Sequence, residues 1–112
     1  MPVCKILSLI CRIPDEANLD EIYLKLNGKK IWPVSKKFKR IKMGNTDLDF
    51  ILKDVNHGDK IEMELWDYDF LSPNDFLGTF TFYLDDPGGP FTTELSKKDS
   101  QVASYSLEWK YD

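Results

Sequence analysis

The run Lys60-Ile61-Glu62-Met63-Glu64-Leu65-Trp66-Asp67-Tyr68-Asp69-Phe70-Leu71-Ser72-Pro73-Asn74-Asp75-Phe76-Leu77-Gly78-Thr79-Phe80-Thr81-Phe82-Tyr83-Leu84 decides the fold. Residues 60–67 alternate with period two, which puts Ile61, Met63 and Leu65 on one face. Residues 76–84 repeat the pattern, with Phe80, Phe82 and Leu84 set against Thr79, Thr81 and Tyr83. Successive side chains of a strand point to opposite faces, so each half reads as a half-buried strand rather than a helix of period 3.6. The Asp-, Ser-, Pro- and Asn-rich stretch between them is a connecting loop of about eight residues.

The same reading extends in both directions. Residues 5–13 are apolar at nearly every position, as expected for a strand buried on both sides. In residues 21–26, Ile22, Leu24 and Leu26 alternate with Glu21, Tyr23 and Lys25. Asn27-Gly28 follows, a hairpin signal because both residues tolerate positive φ, and residues 29–34 form its return strand. Pro33 and the basic run behind it indicate an edge or a connection. Leu48, Phe50 and Leu52 alternate with Asp49, Ile51 and Lys53, and residues 56–59 are a turn. Residues 85–90 read as a loop and 91–95 as a short strand. In residues 102–111, Tyr105, Leu107, Trp109 and Tyr111 alternate with Ser104, Ser106, Glu108 and Lys110. The expectation is an all-β domain of about eight antiparallel strands, a sandwich or a barrel, spanning residues 1–112.

Composition narrows the class. The chain has 112 residues, one domain's worth, with 42% hydrophobic and 30% charged residues. No apolar run approaches the ~18 residues that cross a bilayer. A net charge of -4 disfavours a nucleic-acid partner. The opening Met1-Pro2-Val3-Cys4-Lys5 has no signal-peptide pattern, and the expected location is cytoplasmic. Cys4 and Cys11 are an odd number of residues apart, on opposite faces of one strand and roughly 23 Å apart, so they do not pair and a reducing compartment is favoured. The single histidine, His57, lies in a turn sequence, which excludes a His-rich zinc site. No nucleophile–base set and no Gly-rich phosphate loop is present, so enzymatic activity is not expected.

The acidic residues of the quoted run carry the chemistry. Asp67 and Asp69 are two apart at a strand end, which sets them on one side, and Asp75 returns at the far end of the loop. Crowded carboxylates repel one another, and a hard divalent cation with 6–8 oxygen ligands resolves the conflict, calcium more readily than magnesium. The alternative is a solvated acidic turn.

This pattern resembles the third calcium loop of C2 domains, the calcium-dependent phospholipid-binding β-sandwiches. Asp67-Tyr68-Asp69, Ser72, Asp75 and the closing Gly78 match the family positions, and 58–66 is similar to the preceding Gly-Asp turn and strand. Residues 15–26 are similar to the first calcium loop, although Glu21 replaces the usual Pro after the strand-opening acid. The resemblance implies an eight-stranded Greek-key sandwich of the type II connectivity, in which the last strand fills the place of the other variant's first. It also implies calcium ligands at Asp20, Asp67, Asp69 and Asp75, with Asp15 or Glu16 from the first loop, and Ser72 and the Tyr68 carbonyl completing coordination. One bound ion, two and none remain open alternatives.

Two further surfaces follow. Phe70 and Leu71 lie where the loop tip belongs and would insert into a membrane interface or a partner's pocket. The basic residues Lys36, Lys37, Lys39, Arg40 and Lys42 would face anionic headgroups, or would simply solvate an edge. Removing the five aspartates leaves 14 acids against 15 bases, so bound calcium would switch the potential of one end of a nearly neutral molecule. The expected function is calcium-dependent attachment to an anionic phospholipid surface. The alternative is a protein-interaction or scaffold domain within a larger assembly, calcium-stabilised or metal-free.

Overall fold

A computed structural model describes residues 3–15, 19–97 and 102–112. The protein is all-β, and among the described residues there is no helix. The described residues form nine strands: β1 (Cys4–Ile13), β2 (Asp20–Leu26), β3 (Lys29–Trp32), β4 (Lys39–Ile41), β5 (Gly44–Leu52), β6 (Lys60–Asp67), β7 (Asp75–Tyr83), β8 (Gly88–Glu94) and β9 (Ser104–Tyr111). One antiparallel sheet runs β5-β1-β9-β8; the other runs β3-β2-β6-β7, with β4 also paired to β2.

The core fills the space between the sheets. Ile6, Leu9, Tyr105 and Leu107 come from the first sheet, and Ile22, Leu24, Met63, Leu65, Leu77 and Phe80 from the second, all buried. Burial follows the period-two pattern most cleanly in β6, where Ile61, Met63 and Leu65 are buried and Lys60 and Glu62 are exposed. Phe82 stacks on Trp109 with ring centroids 4.2 Å apart, joining the two inner faces.

Four expectations are corrected. The described residues form nine strands rather than eight, because the basic run expected as an edge or a connection contains β4. β3 pairs with Leu24–Leu26 and β4 with Asp20–Ile22, both antiparallel, so the two lie end to end along one edge of β2. Residues 33–38 leave that line at Pro33, which cannot donate to the ladder, and the Lys30 ammonium holds the excursion by donating to the carbonyls of Pro33, at 2.8 Å, and Lys36. Residues 88–90, expected as loop, begin β8: Gly88 and Gly89 adopt positive φ, a register shift precedes Phe91, and Pro90 is tolerated on an edge strand.

The first strand is not buried on both sides; Lys5, Leu7 and Ile10 are half-buried on its outer face. Finally, Cys4 and Cys11 share the core face. β1 carries a bulge between Ile6 and Ser8 that shifts its register against both neighbours and resets the alternation. Both thiols are free.

Candidate metal centre

The site forms where β1, β2, β6 and β7 end together. Asp67 closes β6, Asp75 opens β7, and the two are direct partners in the ladder. Ile22 of β2 is the partner of Asp67 on the other side, which sets the start of β2 and the loop before it against the same strand end. The Tyr68 amide donates to the Glu21 carbonyl at 2.7 Å, and the Glu21 amide donates to Asp67 Oδ1 at 2.9 Å. These bonds hold the end of β6 to the start of β2.

The result is a group of three carboxylates. One oxygen each from Asp15, Asp67 and Asp75 lies within 4.8 Å of the others. Asp67 is buried, Asp15 half-buried and Asp75 exposed, so the group opens outward. The Asp15 carboxyl is held above its usual range by burial first, then by the charges of Asp20 and Asp75. Such a set of hard oxygen donors fits a calcium-like cation rather than a soft metal.

The other expected ligands take different places. Asp69 is outside the three-carboxylate group. β6 stops at Asp67, so strand alternation does not carry on to Asp69. Its Oδ1 accepts from the Leu71 amide at 2.9 Å and its Oδ2 from the Ser72 hydroxyl at 2.7 Å, an arrangement that shapes the loop tip. Those bonds, the Ser72 one foremost, hold its carboxyl below the usual range. Asp20 is fully buried; its Oδ2 accepts from the Asp15 amide at 2.7 Å and the Tyr105 hydroxyl at 2.5 Å. Glu16 lies outside the described residues.

The tip is open. Phe70 is 70% exposed and Leu71 97%. Beneath it, Tyr68 stacks on Phe38 at 5.1 Å and meets Phe70 edge-on at 5.1 Å, while the Lys37 ammonium sits 5.8 Å from the Tyr68 ring centre. The acidic loop and the basic excursion are therefore one continuous surface. Lys36, Lys37, Phe38, Lys39 and Arg40 line a cavity of about 480 Å³ beside it, and Lys42 is exposed just beyond β4. Arg40 pairs with Glu21 at 3.8 Å.

Three contributing residues had not been singled out from the sequence. Asn74 accepts from the Asp69 amide at 2.9 Å and donates to the Tyr23 hydroxyl at 2.9 Å, pinning the loop to β2. Its place in Ser-Pro-Asn-Asp was a turn signal that could have identified it. Phe38 is an aromatic inside a run of lysines, which marks a packed position. Tyr105 had no local signal, because its partner is 85 residues away.

No protein-family model matches this chain, and no curated protein sequence matches it.

Proposed function

We propose that this protein is a calcium-dependent module for anionic phospholipid surfaces, of the kind that C2 domains represent. The observation that carries the reading is the gathering of Asp15, Asp67 and Asp75 within 4.8 Å at the end of the sandwich that exposes Phe70 and Leu71. Three like charges at this separation repel, and an ion taking several oxygen ligands converts that cost into binding. The Tyr68 carbonyl and Ser72 offer further oxygens on the same loop. Asp69 bonds to Leu71 and Ser72 within the loop tip and would join them if the tip moved toward the group.

The surroundings support the membrane half of the reading. Neutralising the aspartates removes their repulsion of anionic lipid, the adjoining lysines add attraction of ~1 kcal/mol each near such a surface, and the apolar tip enters the interface. An all-β fold of two antiparallel sheets, with β9 lying between β1 and β8, agrees with the C2 resemblance and its type II form.

Vesicle co-sedimentation tests the proposal. Binding to phosphatidylserine-containing vesicles is expected in calcium, and loss of that binding in chelator. Equal pelleting in both conditions overturns the switch. Calcium that raises the melting temperature while vesicles are ignored points instead to a calcium-stabilised protein-interaction domain.

A further inference from the structure

We propose that Asp20 positions the cation site rather than ligating the ion, and that Tyr105 is its anchor. The inference rests on the calcium reading above and assigns two residues within it new work. Asp20 is the first residue of β2 and is completely buried. Tyr105 belongs to β9, in the opposite sheet, and is buried as well. The Tyr105 hydroxyl donates to Asp20 Oδ2 across the sandwich at 2.5 Å. The Asp15 amide donates to the same oxygen at 2.7 Å.

One oxygen atom therefore ties three parts of the molecule together: the sheet that contains β9, the sheet that contains β2, and the β1–β2 loop that carries Asp15. A carboxylate oxygen has about two acceptor sites, so these two bonds occupy Oδ2, and Asp20 is not among the carboxylates that gather within 4.8 Å at the site. The carboxylate that reaches the three-oxygen group is that of Asp15, which the bond holds by its backbone. Asp20 acts on the ion through Asp15, as an outer partner acts on a ligand.

Calorimetric titration of calcium chloride into the chelator-stripped protein tests this, together with exchange of the Asp15 amide measured without calcium. Asp67→Asn is expected to abolish the heat. Asp20→Asn keeps an oxygen that accepts both bonds, so its affinity should stay within about threefold of wild type. Tyr105→Phe and Asp20→Ala should weaken binding by about tenfold or more, the usual scale for outer partners of a metal site. Both should also speed exchange at Asp15. Melting curves identify variants that fail to fold, and Asp20→Asn with Tyr105→Phe suffices if Asp20→Ala is one of them. Loss of binding in Asp20→Asn equal to that in Asp67→Asn makes Asp20 a ligand and overturns the proposal. Unchanged affinity and exchange in Tyr105→Phe overturns the anchor. A wild-type protein that gives no heat overturns the calcium reading and this inference with it, a pattern distinct from the other two.

Discussion

Asp15 and Gly78 show how single residues trade stability against the site. Burial and the neighbouring acids raise the Asp15 pKa in the folded protein, so folding favours its protonated form. Below the pKa of the unfolded chain this group costs nothing; as pH rises through the raised folded value, stability is lost. In chelator at pH 7, Asp15→Asn should therefore raise the melting temperature by a few degrees, and the gain should vanish below about pH 4, near the ordinary carboxylate value. The same variant should weaken calcium binding. Gly78 works the other way. Its φ is +149°, and a methyl group there would drive into the Ser96 carbonyl oxygen and lie 2.9 Å from Leu95 Cγ. Ser96 cannot give way easily, because it exchanges both backbone bonds with Thr79 at 2.9 Å. Gly78→Ala should cost about 2 kcal/mol or more in denaturant unfolding, with little direct effect on the carboxylates. The glycine that closes the Asp-rich motif is thus required by packing, whatever the loop binds.

At the scale of elements, the 67–75 loop is built from within. Asp69 and Asn74 fold its backbone, and Asn74 ties it to Tyr23. That internal order leaves the fully exposed Leu71 side chain without a share in stability, so Leu71→Ser should melt with wild type. Burying a leucine in an apolar phase is worth ~1.5–3 kcal/mol, so the same change should weaken calcium-dependent vesicle binding by about tenfold. Asn74→Ala should instead loosen the loop and lower calcium affinity while vesicle contacts remain intact. These elements were unequally legible in the sequence. β6 and β7 could be read directly, because alternating Ile61, Met63 and Leu65, then Phe80 and Phe82, leave one burial choice per strand. Asp67 and Asp75 followed from strand ends. The bulge in β1 was not legible, since an added residue in a continuous apolar run changes nothing in composition and everything in parity. The break between β3 and β4 showed only as Pro33; the Lys30 ammonium that stabilises it bonds backbone carbonyls three and six residues on, which no alternation pattern marks.

For the whole molecule, the proposed calcium site would couple charge to fold. Calcium that binds only the folded state adds ~2.7 kcal/mol at a hundredfold excess over its dissociation constant. For a domain of about 100 residues, that should raise the melting temperature by about 10 °C. Scanning calorimetry across a calcium series checks this, and no shift at saturating calcium removes the metal from the account. What the sequence could not show at this scale was the meeting of β9 with the start of β2, because Tyr105 and Asp20 approach only once both sheets have packed.

The bulge in β1 has one more use, as a gauge. By turning Cys4 and Cys11 onto the same interior face, it places the molecule's two thiols where neither reagent nor water reaches them, and burial pushes the Cys4 thiol up to about 11. The native protein therefore resists alkylation twice over, by access and by the scarcity of thiolate at neutral pH. Alkylation becomes a clock for opening of the sandwich, readable by mass and free of any introduced label. Calcium should slow both sites together if the sheets separate as a unit. Unequal slowing would show that the end carrying the aspartates, nearer Cys11, opens on its own.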